Sequence, residues 1–138
     1  MSLRIIQIDH VSVLITDVER SRRFYRDVLG LPEIAKPRTF DFVVLWFDLG
    51  NQQLHLLRKD EADSRSPRHF ALRVADVPAA RSYFQKHGIA IQEATPIPGA
   101  DRFFLFDPDS NRIEIIQWLQ PYDPAVSGAA ALDGGPLG

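Results

Sequence analysis

Three of the four histidines in this 138-residue chain, together with one glutamate, recur at a regular spacing. His10 and His55 are 45 residues apart, and His69 and Glu114 are separated by the same distance. The chain has no cysteine, so any metal ion must be held by His, Asp or Glu. Three imidazoles and one carboxylate suit a divalent ion such as Zn, Ni, Co, Fe or Mn better than Ca or Mg. The spacing therefore predicts a divalent-metal site made of His10, His55, His69 and Glu114.

The four candidate ligands belong to an internal repeat. A shift of 59 residues places His10 on His69 and His55 on Glu114. The shift also aligns an acidic residue, an aromatic pair and a Phe-Asp pair: Asp17 with Asp76, Phe24-Tyr25 with Tyr83-Phe84, and Phe47-Asp48 with Phe106-Asp107. Repeats at a fixed period indicate repeated structural units. The chain is therefore expected to contain two similar modules.

Each module is expected to fold in the order βαβββ. Apolar runs predict strands at 5–15, 31–35, 40–49 and 52–58, and again at 68–75, 89–93, 102–106 and 112–118. Asp17 and Asp76 are suitable N-caps for the intervening helices. Modules at about 4–60 and 66–118 predict one α+β domain (1–120), a curled mixed sheet cup with helices outside. Residues 121–138, rich in Pro, Gly and Ala, are expected to form a tail without its own core.

The faces of the strands predict which side chains line the cup, because residues two apart in a strand share a face. The predicted substrate contacts are Arg73, Arg102, Leu45, Phe47, Leu57, Phe104 and Phe106. The apolar members favour a partly apolar small molecule, and the two arginines could hold an anion. Phe42, Val44 and Trp46 fall on the opposite face and are expected to pack in the core.

Composition limits the other partners. The net charge is −2, with 16 basic and 18 acidic residues interspersed, which predicts no nucleic-acid surface. No apolar run approaches the length of a membrane span, and no N-terminal leader is recognisable. These features predict a cytoplasmic protein that does not bind membranes.

Two segments, DHVSVLITDVERSRRFYRDVLGL and FFLFDPDSNRIEII, resemble the vicinal-oxygen-chelate superfamily. The resemblance covers about residues 4–118. This superfamily includes glyoxalase I, methylmalonyl-CoA epimerase, extradiol dioxygenases, fosfomycin-resistance proteins and bleomycin-resistance proteins. Its metal-ligand positions correspond to His10, His55, His69 and Glu114, although glyoxalase I usually has glutamate where this chain has His55. Relatives are mostly dimers, so a homodimer is implied; whether the two modules at one site come from one chain or two stays open.

The resemblance implies three alternative functions. In a lyase or isomerase of the glyoxalase type, the metal binds vicinal oxygens of the substrate and Glu114 is the candidate base, unless it is only a ligand. In an Fe(II) extradiol-type dioxygenase, His10, His69 and Glu114 would hold the iron and His55 would be an acid/base or a spare ligand. A non-catalytic drug-binding protein of the bleomycin-resistance type would use the cup without metal. The lyase or isomerase is favoured, because the chain keeps all four ligands and a fourth ligand would occupy a position that O₂ needs.

Overall fold

A computed structural model of the chain describes residues 2–42 and 44–128. The first module contains β1 (His10–Ile15), α1 (Val18–Arg22, continued by a π-helical segment, Arg23–Val28), β2 (Glu33–Ile34), β3 (Val44–Asp48) and β4 (Gln53–Arg58). The second contains β5 (His69–Arg73), α2 (Val77–Lys86), β6 (Gln92–Glu93), β7 (Ala100–Phe106) and β8 (Arg112–Trp118). The predicted tail includes a short helix, α3 (Pro124–Ser127), and its residues 129–138 lie outside the described ranges. None of the described helices is long and apolar enough to cross a membrane.

Each module forms its own four-stranded mixed sheet. The strand orders are β1-β4-β3-β2 and β5-β8-β7-β6, and the first strand of each module is parallel to the last. The matching topologies confirm the predicted α+β fold of two βαβββ modules. No hydrogen-bonded ladder joins β1 to β5 within the described residues, although both strands line common cavities. The cup is therefore open along the β1–β5 seam.

The predicted helix starts are confirmed, but the first strand is shorter than expected. The carboxylate of Asp17 accepts a hydrogen bond from the Arg20 N–H, and that of Asp76 accepts one from the Ala79 N–H, both at 3.0 Å. β1 begins at His10 instead of residue 5, because its partner strand begins at Gln53, directly opposite His10. The isoleucines before His10 have no partner strand among the described residues and are exposed: Ile5, Ile6 and Ile8 are 80%, 87% and 62% exposed.

The two modules share one core and a buried polar junction. Tyr25, which is fully buried on the π-helical segment, donates a 2.7 Å hydrogen bond to the carboxylate of Asp107 in the β7–β8 loop. Asp109 in the same loop accepts hydrogen bonds from the backbone and hydroxyl of Thr16, and it pairs with Arg20. Asn111 donates to the Leu14 carbonyl at 2.8 Å. The loop that precedes β8 therefore attaches the second module to the end of β1.

The predicted faces of β3 are wrong. Leu45 and Phe47 face the buried core, whereas Trp46 lies directly opposite His55 on the cup face. In the second module, Phe104 lies opposite Glu114, as the repeat predicts. The reason is hairpin length: four residues (49–52) join β3 to β4, whereas five (107–111) join β7 to β8. A difference of one residue slides β3 by one position against β4, and a one-residue slip turns each side chain to the other face.

We predict that Tyr25→Phe lowers the free energy of unfolding by about 1.5–3 kcal/mol at neutral pH, because it removes a buried hydrogen bond to a charged group. Burial raises the pKa of Asp107 above its ordinary value of 3.8, and the hydrogen bonds from Tyr25 and Asn111 oppose that rise. Without Tyr25 the pKa of Asp107 rises further. The loss of stability should therefore shrink as the pH falls through this raised pKa, because the protonated carboxyl depends less on the donor.

Tyr83→Phe is the matched control for Tyr25→Phe. Tyr83 also joins the modules, through a hydrogen bond to the Val28 carbonyl, but it is 40% exposed and its partner is neutral. Its removal should cost about 1 kcal/mol or less at every pH. Urea denaturation of both variants across the acidic pH range measures the difference; equal pH-independent losses would contradict the role of Asp107.

The corrected face of β3 leads to a second prediction. Leu45→Ala should lower the free energy of unfolding by about 2–5 kcal/mol, because Leu45 is 5% exposed and packs in the core. Leu57→Ala should cost less, about 1–2 kcal/mol, because Leu57 lines an open cavity beside His55. Denaturation of the two variants measures both values. The reverse order would contradict the pairing of Trp46 with His55 on the cup face.

Candidate functional site

Two of the candidate ligands stack on each other in the first module. His10 lies at the start of β1, and its ring centroid is 4.2 Å from that of His55 on β4, at an interplanar angle of 25°. The other face of the His55 ring lies against Trp46, at 3.8 Å and 8°. His55 is therefore held between an indole and a second imidazole, buried on the cup side of its strand.

The protonation of His55 suits a ligand. Its Nε2 is 2.9 Å from the side-chain oxygen of Gln53, which can only accept a hydrogen bond, so Nε2 carries the proton and Nδ1 keeps its lone pair. Burial lowers the pKa of His55 below its ordinary value of 6.5, and His10 lowers it further. The imidazole is therefore neutral at pH 7. Gln53 is the same-face neighbour that strand spacing suggests as an outer partner for a ligating histidine.

The other two candidate ligands meet in the second module. The Nε2 of His69 on β5 lies 3.2 Å from an oxygen of Glu114 on β8. The Nδ1 of His69 lies 2.9 Å from the Pro67 carbonyl, to which it donates. With Nδ1 as the donor, the Nε2 of the neutral tautomer keeps its lone pair close to a carboxylate oxygen, and these two donor atoms could share a divalent cation. Two neighbouring ligand atoms of an octahedral ion, with bonds of about 2.1 Å, are about 3 Å apart. The 3.2 Å between Nε2 of His69 and the Glu114 oxygen is close to that separation.

Arg102 positions Glu114. Its guanidinium donates to the second carboxylate oxygen at 2.9 Å, and its remaining donors reach the Thr95 carbonyl at 3.1 and 2.7 Å. Arg102, which the sequence predicts to contact the substrate, therefore contacts the candidate metal ligand Glu114 in the structure. Arg73, the other arginine expected to hold an anion, lies at the far end of β5 from His69 and is exposed.

The four candidate ligands form two pairs instead of one cluster. In residues 2–42 and 44–128, no three His, Asp or Glu side chains come together in a group that could hold a metal ion. Ladder partners share a face, and both pairs lie on the cup side of their sheets. The β1–β5 seam lies between the pairs, because His10 begins β1 and His69 begins β5. The predicted convergence of all four side chains is therefore not present in this structure.

The walls near the two pairs are largely aromatic. In the second module Phe104 contacts His69 edge-on at 5.0 Å, and Phe104 and Phe106 share the cup face, as expected. In the first module a cavity of about 350 Å³ beside His10 and His55 is lined by the apolar residues Phe40, Phe42, Val44, Trp46 and Leu57 and by the polar residues Asp9, Ser12 and Gln53. Sequence reasoning missed Trp46 as a cup residue, and the unequal hairpin loops were the signal that could have identified it.

Comparisons with known proteins agree with this architecture. A family model described as the Glyoxalase/Bleomycin resistance protein/Dioxygenase superfamily matches residues 7–115. A curated protein named Glyoxylase I 4 from Arabidopsis thaliana is 28% identical over 124 residues, which cover 82% of this chain and 71% of that protein.

Solved structures include a glyoxalase family protein from Bacillus anthracis, 30% identical, with a TM-score of 0.79 and coverage of 86% of this chain and 99% of that one. A lactoylglutathione lyase from Agrobacterium tumefaciens, 24% identical, has a TM-score of 0.65 and coverage of 80% and 92%, and it supports the fold alone. The repeated modules, the strand topology and the family match lead to one conclusion: the chain belongs to the Glyoxalase/Bleomycin resistance protein/Dioxygenase superfamily.

Proposed function

We propose that this protein is a divalent-metal-dependent enzyme of the glyoxalase type, a lyase or isomerase whose small substrate chelates the metal through two vicinal oxygens. The observation that carries the proposal is the His69–Glu114 pair, with its 3.2 Å separation. The donors fit a Zn, Ni, Co, Fe or Mn ion, because neutral imidazoles and a carboxylate are suitable ligands for all of them. His10 and His55 would complete the set across the seam, from the same chain or from a second copy in a homodimer.

The buried junction between the modules supports assembly of the site within one chain. Tyr25, Thr16 and Arg20 of the first module all bind the β7–β8 loop, which leads directly into the strand that carries Glu114. The two halves of the cup are therefore tied together at one end of the seam. Closing the remaining gap requires movement of side chains and of the seam, and a bound ion would favour that movement.

Glu114 has the geometry of a general base. Arg102 holds one carboxylate oxygen, so the other oxygen, which lies near His69, is the atom that would serve either as a metal ligand or, when not held by the ion, as the base toward substrate carbon. The metal, when bound, supplies Lewis acidity that makes a C–H bond beside the chelated oxygens easier to deprotonate. Phe104 is buried and is the ladder partner of Glu114, so it provides an apolar neighbour for this residue on the β7 side.

Metal binding can be followed without any substrate through Trp46. In a Trp118→Phe background, Co²⁺ or Ni²⁺ bound to His55 should quench Trp46 emission, because the indole stacks on that imidazole. His69→Ala should weaken the binding by at least about tenfold. His87→Ala is the matched control, since His87 caps α2 and bonds the Tyr83 carbonyl away from the cup. Absence of saturable quenching, or equal losses in both variants, would refute the metal site.

Glu114→Gln separates the ligand role from the base role. Glutamine can ligate weakly but cannot take a proton, so we expect metal to be retained at reduced affinity and turnover to fall about 10²- to 10⁴-fold. A panel of 2-oxoaldehyde–thiol adducts and catechols provides the substrates. Glu93→Gln, which alters an exposed partner of Arg81, controls for the loss of one negative charge. Full turnover with metal intact in Glu114→Gln would exclude the base role.

The same experiments identify the alternatives. Consumption of O₂ with a catechol would favour the Fe(II) dioxygenase, for which His10, His69 and Glu114 suffice. A non-catalytic drug-binding protein is favoured by the aromatic cavity of the first module and by the absence of a three-donor group in the described ranges. In that case the protein would retain no metal, and a large planar drug would quench Trp46.

A further inference from the structure

Arg112 lies beside the candidate ligands but has no partner that explains its charge. It is the ladder neighbour of His69, and it shares a strand face with Glu114. Its guanidinium carbon lies 3.6 Å from the ring centroid of Phe104. Within the described residues no carboxylate or carbonyl accepts a hydrogen bond from this guanidinium: Glu114 is taken by Arg102 and His69. Arg112 is therefore a cation fixed on an aromatic face with its donors available.

The first module indicates that the fold does not need an arginine here. Gln53 is the repeat equivalent of Arg112, since it pairs with His10 as Arg112 pairs with His69. Gln53 orients the neighbouring His55. Arg112 has no such task, because His69 is already oriented by the Pro67 carbonyl. The described residues therefore do not account for a positive charge at this position, and a bound ligand would.

Arg112 lines a cavity of about 440 Å³ at the β1–β5 seam. Residues of the linker between β4 and β5 (59–68) also line this cavity. The cavity is rich in hydroxyl groups, from Ser12, Ser64, Ser66 and Ser110. Its described lining has one carboxylate, Asp63, which Arg68 neutralises at 2.8 Å. With Asp63 and Arg68 paired, Arg112 is the arginine of the described lining whose charge is not neutralised, so an anion entering this cavity meets one positive charge and several hydroxyl donors.

We propose that this cavity binds an anionic group of the ligand, a carboxylate, phosphate or phosphonate, with Arg112 as its anchor. A planar guanidinium presents paired N–H donors that match two oxygens of such a group. The substrate is then a small molecule whose anionic end lies in the seam cavity and whose vicinal oxygens reach the His69–Glu114 pair. This identification of the substrate class rests on the proposed function, but binding of the anion to the cavity does not require a metal.

The test uses the full-length, metal-free protein titrated with inorganic phosphate and, separately, with acetate, at constant ionic strength. Binding is followed by the NMR shifts of the backbone amides of Ser64, Ser66 and Ser110, and of the Arg112 side-chain N–H. We expect at least one probe to give saturable shifts, and Arg112→Gln to weaken that binding by about tenfold or more. Arg26→Gln, which removes the same charge from an exposed pair with Asp27, should leave it unchanged.

The outcomes separate the ligand classes. Saturation by phosphate alone identifies a phosphate or phosphonate group, and saturation by acetate identifies a carboxylate. Failure of both probes to saturate, or equal effects of Arg112→Gln and Arg26→Gln, would overturn the proposal. Should Arg112→Gln not fold, Arg112→Lys keeps the charge but loses the paired donors, and an affinity equal to wild type would also overturn it. Because no metal is present, these results are independent of the Trp46 titration that tests the metal site.

Discussion

The architecture depends on one buried carboxylate, that of Asp107. Its oxygens accept hydrogen bonds from Tyr25 of the first module, from the Asn111 side chain and from two backbone N–H groups of its own loop. A buried carboxylate is unfavourable unless it is fully hydrogen-bonded, so these groups are held in place together. These hydrogen bonds fix the conformation of the β7–β8 loop and also attach the loop to the first module. Strand β8 follows directly from this loop.

A second buried carboxylate orders the second half of the cup. Glu114 is buried, and Arg102 and His69 approach its two oxygens. Arg102 in turn is fixed by the Thr95 carbonyl, and His69 by the Pro67 carbonyl. The pair is therefore preorganised by groups that do not belong to the ligand set. The first half of the cup uses stacking instead, with His55 between Trp46 and His10.

Much of the fold could be predicted from local chemistry and repetition. Asp17 and Asp76 cap the helices as expected because N-capping depends only on a short side chain and the N–H groups of the next turn. The two-module α+β plan follows from the 59-residue repeat. The start of β1 could not be predicted, because apolar residues 5–8 suit a strand and only the position of Gln53 on β4 determines where pairing begins.

The sequence alone determined which residues are candidate ligands, since residue type and spacing are local properties that the duplication preserves. It did not determine which side chains surround them. Leu45 and Phe47 were expected beside His55, but a hairpin one residue shorter than its counterpart places Trp46 there instead. Only the tertiary structure decided this, because strand register is set by pairing across the sheet and one residue of slip exchanges the two faces. The separation of the ligands into two pairs was likewise decided by the β1–β5 seam, which no backbone hydrogen bond closes in the described residues.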